Sequence, residues 1–303
     1  MDARRQQRLS LRMLAVLAVV AIVATACGNG GDTAGGDAGT GGGTIRIGLI
    51  PWDEAIAVTN LWQAILEERG YTVEVTQLEV GGLYSGLANG DIDLFFDGWL
   101  PATHADYWAQ FGQDIDDLKV WYDQAPLTWV VPAYVDDVNS IADLQGKADM
   151  FDGRIVGIEA GSGLMRISRE EVMPTYGLED EYTLVESSTP AMLAELDKAY
   201  SAQEPIVVTL WEPHWAYGKY DLKNLEDPEG ALGQPDEIHV LARKGFREDF
   251  PEVAGWLQNF ELDGATLADL EVAILVDGPE GKELESAKAW LEENRSVVEA
   301  WLS

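Results

Sequence analysis

With 303 residues, 47% of them hydrophobic and 9% aromatic, the chain can build one large or two medium domains with full cores, which excludes a disordered protein. A net charge of −33 repels phosphate backbones and excludes nucleic acid as a partner. The excess acid reads first as solubility, with a mild attraction for cations, and the single cysteine, Cys27, excludes an intrachain disulfide.

Residues 1–26 read as a signal peptide. Arg4, Arg5, Arg8 and Arg12 precede an apolar stretch from Met13 to Val23, and the small residues Ala24, Thr25 and Ala26 follow. Cys27 stands directly after them, an arrangement that resembles a bacterial lipobox, in which the thiol is acylated and becomes the new N-terminus. The alternative is ordinary secretory cleavage beside an incidental cysteine. Residues 27–43 then form a Gly-rich tether, and no later run is apolar and long enough to span a bilayer.

From Ile45 the chain alternates short β-rich runs with helical patterns. Ile45–Ile50 predicts a strand, and Val58, Leu61, Trp62, Ile65 and Leu66 recur at helical spacing up to Gly70. Tyr71–Leu78 predicts a second strand, Gly82–Asn89 a short helix, and Asp91–Phe96 a third strand, an order that argues for a parallel, doubly wound sheet. Asp114–Asp117 reads as a solvated loop. After an apolar run at Val130–Val135, a second set follows: a strand at Arg154–Ile158, a helix opened by Gly161-Ser162-Gly163, a helix over Pro190–Tyr200 and a strand at Pro205–Leu210. The chain resumes with Ile238–Ala242, and Lys282–Leu302 predicts one amphipathic closing helix. The layout implies an α/β clamp of two lobes, one spanning 44–133 plus 237–303 and the other 134–236, each a mainly parallel sheet flanked by helices and hinged to close on a ligand.

Four tryptophans, Trp52, Trp99, Trp129 and Trp211, sit at the ends of the apolar runs. In an open α/β sheet the crevice at the strand carboxyl ends takes ligands, and three of the four fall there; Trp129 precedes its run. Indole faces turned into one crevice suit a cation that has no N–H to donate, such as a quaternary ammonium. The plain alternative for any one of them is core packing.

The motifs together resemble the substrate-binding lipoproteins of ABC importers for glycine betaine, proline betaine or choline. They are Trp52-Asp53-Glu54, Gly90-Asp91-Ile92-Asp93, Trp99-Leu100-Pro101-Ala102-Thr103-His104, Gly157 through Gly163, and Trp211-Glu212-Pro213-His214-Trp215. The resemblance implies a two-lobed periplasmic-binding-protein clamp of type II, with Trp99 and Trp211 as cage walls. It further implies Trp52 as a third wall with Glu54 two positions on, and Trp129 near another aromatic position. It also implies permease and ATPase partners, a monomeric receptor, and an extracytoplasmic location with Cys27 anchoring the chain to the outer face of the cell membrane. A betaine carboxylate would need donors, either backbone amides around Gly161, Ser162, Gly163 and Leu164 or the His214 ring. Choline would instead set its charge or hydroxyl against Glu54 or Asp53.

Two readings compete with glycine betaine capture. One is a choline-preferring protein of the same clamp. The other is a secreted hydrolase with Ser162 as nucleophile, which Ala160 weakens, because a Gly-x-Ser-x-Gly elbow needs glycine there. His104 is expected to pack a turn. The three histidines lack zinc-ligand spacing, so neither a metal nor a cofactor is expected.

Overall fold

The computed structural model describes residues 42–303. The expected leader, Cys27 and nearly all of the tether lie outside the described residues. Ten strands make two five-stranded sheets: β1 (Thr44–Leu49), β2 (Thr72–Gln77), β3 (Leu94–Leu100), β4 (Ile115–Ala125) and β10 (Asp236–Arg243) in one, β5 (Leu127–Pro132), β6 (Arg154–Val156), β7 (Thr183–Val185), β8 (Val208–Trp211) and β9 (Leu222–Asn224) in the other.

The two sheets share one order. The first runs β2-β1-β3-β10-β4 and the second β7-β6-β8-β5-β9, so each places its second strand at the edge, then its first, its third, a strand arriving from the other lobe, and a last strand. The first three strands of each sheet are parallel, as helical crossovers require. The arriving strands β10 and β5 run antiparallel to both neighbours. The sheets are therefore mixed rather than mainly parallel, because a strand entering from the opposite lobe comes in from the far end.

Three further expectations are corrected. The first crossing falls at Pro126, not after Ala133, because β5 bonds to β8 and β9 in the second sheet. The acidic stretch at 114–117 leads into β4 rather than forming a loop; Asp116 pairs with Lys244 and Asp117 with His239, so its charges are matched from the side. The closing helix is two helices, Glu283–Glu293 and Arg295–Trp301, broken at Asn294, whose side chain bonds back to the Trp290 carbonyl.

Amphipathic patterning builds the core that holds the first lobe. Helix α1 (Asp53–Glu68) buries Val58, Leu61, Trp62, Ile65 and Leu66 on the sheet, as the helical spacing predicts. Trp62 stacks on Phe96 at 5.8 Å and meets Phe260 edge-on at 5.3 Å, with Trp301 behind it. Large rings filling this wedge bring the C-terminal helices onto α1 and stiffen the base on which the site stands. At the amino end of β3, away from Trp99, Asp93 is buried and receives Arg46 and Arg243, tying β1, β3 and β10 together.

Candidate functional site

Between the sheets lies a small cavity lined by Trp52, Glu54, Trp99, Thr103, Leu127, Ile158, Ser162, Leu164 and Trp211. Both lobes contribute. Trp52 and Glu54 stand where β1 turns into α1, Trp99 sits on β3, and Trp211 ends β8. Trp99 and Trp211 occupy matching positions, each on the third strand of its sheet and each two residues before a proline joined by a cis peptide bond. Trp52 and Trp211 approach at 6.3 Å between centroids, tilted by 54°, so their faces open onto one space rather than stacking shut.

Each indole N–H is held by a carboxylate. Trp99 donates to Asp97 at 2.9 Å, its neighbour on the same face of the strand two positions earlier. Trp211 donates to Glu54 at 2.9 Å and Trp52 to Glu159 at 3.2 Å, both across the cleft. Glu159 is itself fixed by the Thr189 amide and hydroxyl at 2.8 and 3.0 Å. Behind the cavity, Trp215 donates its indole N–H to Asp53 at 2.6 Å and its backbone N–H to Glu271 at 2.7 Å. Charge-assisted bonds of this kind fix ring planes that an indole packed only by dispersion could rock through.

The site is strongly acidic. Glu54, Asp97 and Glu271 are all fully buried. Burial, reinforced by Asp97 and Glu271, pushes Glu54 well above the usual carboxylate range. Burial likewise pushes Asp97 up to about 7, and with help from Asp53 it pushes Glu271 up to about 8. Glu54 Oε1, Asp97 Oδ2 and Glu271 Oε1 have no hydrogen-bond partner among the described residues.

The lobes meet around the cavity. The Tyr107 hydroxyl donates to the Gly161 carbonyl at 2.9 Å, and Arg166 reaches the Ala102 carbonyl at 3.2 Å and the Asp106 carboxylate at 3.3 Å. Gly163 lies so close to Thr103 that a β-carbon there would stand 2.0 Å from the Thr103 carbonyl oxygen. Only glycine permits that approach. Thr103 is held in turn by Asp236, which accepts from the amides of Ala102 and Thr103 at 2.8 Å each.

The sequence-named residues are therefore distributed as follows. Trp52, Glu54, Trp99, Ser162 and Trp211 line the cavity. Gly161 and Gly163 act at its rim, in contacts between the lobes. Trp129 is misplaced by the sequence reading: it is buried in the core of the second lobe, with its N–H on Ser168 Oγ at 3.0 Å. It shares a strand face with Leu127, which does reach the cavity, but two residues along an extended strand carry it roughly 6–7 Å further in, beneath the helical segment that starts at Gly163. His214 does not line the cavity either. It packs edge-on behind Trp211 at 4.9 Å, takes the Ala216 amide on Nδ1 and sets Nε2 3.3 Å from Asp53. His104 packs the turn after β3, as expected: Nδ1 accepts the Trp99 amide and lies 3.1 Å from the Tyr84 hydroxyl, while burial pushes the ring down to about 3.

Sequence reasoning missed Thr103, Leu127 and Ile158 as lining, named Leu164 only as a backbone donor, and missed Asp97, Glu159 and Glu271 as anchors. Glu159 lies inside a motif that had been singled out and Asp97 two residues before another; Glu271 comes from a distant C-terminal helix and carried no local signal. Among the described residues, no group of three or more His, Cys, Asp or Glu side chains is arranged to hold a metal ion, and no helix is long and apolar enough to cross a membrane. Ser162 caps a helix by accepting the Met165 amide, and no histidine bonds to it.

Two sheets of this order enclosing a shared cavity define a ligand-binding clamp of the type II periplasmic-binding-protein kind. Residues 43–293 match the substrate-binding domain of the ABC-type glycine betaine transport system, and the chain belongs to that family. It is 40% identical over 167 residues to the glycine betaine/carnitine transport binding protein of Listeria monocytogenes; the match spans 54% of this chain and 54% of that protein, about half of the relative's length. Among solved structures it is similar to the lactococcal protein in its closed-liganded conformation with glycine betaine (34% identity, 86% of this chain and 99% of that one, TM-score 0.78). It is also similar to an ABC-transporter choline-binding protein in complex with choline (29% identity, 86% and 92%, TM-score 0.77).

Proposed function

We propose that the protein is the extracytoplasmic binding component of an ABC importer, capturing glycine betaine or a related quaternary ammonium compound between Trp52, Trp99 and Trp211. One observation carries this reading: the cavity is walled by three indoles, and Glu54 is the only acidic or basic side chain lining it among the described residues. A trimethylammonium group has no N–H to donate, so it gains little from a lone carboxylate and much from negative ring faces, roughly 0.5–2 kcal/mol each when desolvated. Three faces with their apolar surroundings support micromolar affinity, about 8 kcal/mol. The solved relative with glycine betaine supports the leading ligand.

The ligand's far end sets the choice within the class. A betaine carboxylate would take the Ser162 hydroxyl and first-turn amides around Gly163 and Leu164 rather than His214, which stands behind Trp211. A second reading, choline preference, rests on the unpartnered Glu54 Oε1, an acceptor for a hydroxyl proton. Titration calorimetry with glycine betaine, proline betaine, choline and carnitine distinguishes them, and no heat with any of the four, together with esterase turnover, would overturn the transport reading.

The reading extends to the whole protein: a monomer delivering its ligand to a permease and ATPase, held at the outer membrane face through acylated Cys27. The apolar Met13–Val23 stretch ahead of Cys27 supports the anchor. The mass of the mature N-terminal peptide tests it, and an unmodified Cys27 would leave the anchor without support.

A further inference from the structure

The acidic cluster behind the cavity has a feature that ordinary packing does not explain. Asp53, Glu54, Asp97 and Glu271 are gathered in the first lobe, and no lysine or arginine among the described residues bonds to any of them. Elsewhere the protein treats a buried acid differently: Asp93 receives two guanidinium groups. His214 Nε2 stands 3.3 Å from Asp53, but Glu54, Asp97 and Glu271 have no basic side chain bonded to them among the described residues, and burying such carboxylates is costly unless something else supplies positive charge. What Asp53, Glu54 and Asp97 receive is indole N–H groups, each belonging to a ring in or directly behind the cavity wall, while Glu271 receives the backbone N–H of Trp215.

We propose that Asp97, which never reaches the cavity, is a positioning residue for the ligand cation: it fixes the Trp99 ring through its N–H and makes that ring's face more negative. The inference rests on the quaternary ammonium reading above. Trp99 Nε1 to Asp97 Oδ1 is 2.9 Å, and the second carboxylate oxygen has no partner, so the acid's polarity is directed into the indole. An acceptor at the N–H edge pushes electron density toward the ring, and a cation resting on the ring's face completes the polarised chain. Glu54 acts on Trp211 in the same way, but because it lines the cavity its effect cannot be separated from direct contact. Asp97 makes the separation possible.

Asp97→Asn keeps the size and the acceptor oxygen while removing the charge. Glu271→Gln is the second variant, since its oxygen can keep the Trp215 amide. Each is titrated at about pH 9, above the values to which burial pushes Asp97 and Glu271, with glycine betaine and its neutral-headed carbon isostere 3,3-dimethylbutanoate, and with choline and 3,3-dimethylbutan-1-ol, the isosteres by competition where they bind weakly. Asp97→Asn is expected to weaken both trimethylammonium ligands about tenfold while changing their isosteres less than about twofold. Glu271→Gln, further from any cavity wall, follows with a smaller loss of the same selectivity. Equal weakening of ligand and isostere would show a merely structural role and overturn the proposal, as would unchanged affinity for both. Should Asp97→Asn not fold, Asp97→Ser, which removes the charge in a smaller polar side chain, is titrated in its place, with the same expected and overturning outcomes. A wild-type protein that binds no quaternary ammonium would instead overturn the functional reading, and this inference with it.

Discussion

Gly163→Ala tests whether ligand capture depends on the lobes meeting. The glycine opens a helical segment and its φ is not positive, so alanine is acceptable to the local backbone. The added methyl would nevertheless stand 2.0 Å from the Thr103 carbonyl oxygen and 2.5 Å from Thr103 Cγ2. Thr103 cannot step aside cheaply, because Asp236 holds both its amide and that of Ala102. The contact is relieved when the lobes part by roughly 1–1.5 Å, which draws Trp211 away from Trp52 and Trp99. Weakening one or two ring contacts costs about 1–3 kcal/mol, or roughly 5- to 150-fold in affinity for glycine betaine. Ligand-free stability should stay level or rise by up to about 1 kcal/mol, since alanine is the better helix former. Calorimetry reads the affinity, and small-angle scattering reads whether saturating ligand still compacts the protein. Gly255→Ala, on the helix Pro251–Asn259 with open space around it, is the control and should bind as wild type. Wild-type affinity and compaction in Gly163→Ala would refute the reasoning.

The other predictions concern walls, core and pH. Trp99→Ala or Trp211→Ala should lose at least about tenfold in affinity by calorimetry, whereas Trp129→Ala should lose about 3–5 kcal/mol of stability in urea unfolding while its folded fraction binds within about threefold of wild type. Asp93→Ala should destabilise by about 2–4 kcal/mol, because Arg46 and Arg243 lose their shared acceptor. Against its burial, hydrogen bonds from Arg46 and Arg243 hold the Asp93 carboxyl below its usual range, so its contribution is present above about pH 4 and is lost as pH falls further. Asp97 and Glu271 have the opposite sign. With folded values pushed up to about 7 and about 8, they stabilise fully below about pH 4 and lose that contribution as pH rises through 7 to 8. The ligand-free melting temperature should thus fall between pH 5 and 8, and Asp97→Asn should flatten the fall; an unchanged slope in that variant would remove Asp97 from the account.

The sequence carried much of this where local chemistry is self-contained. The period of α1, the β-α-β-α-β order of the first lobe and the turn residues around Trp99 and Trp211 all act over a few positions. Those two tryptophans were legible because a strand followed by a turn and a proline delivers a side chain to the sheet's edge whatever lies beyond. Trp129 misled because its environment is set by what covers it, the segment after Gly163, and strand periodicity cannot report depth along a face. β4 was hidden because its Asp116 and Asp117 are answered by Lys244 and His239, more than a hundred positions away. Glu271 could not be found at all: a glutamate in an acidic C-terminal region looks solvated until a backbone amide from Trp215 meets it.

The matching places of Trp99 and Trp211 in the two sheets bear on how long a ligand stays. Under the proposed function neither lobe would hold a complete cage, so a bound molecule would leave only after the Trp211–Glu54 and Trp52–Glu159 bonds across the cleft had been undone. Residence time then tracks the rate at which the lobes come apart, while the ligand's own chemistry weighs more on how readily they come together.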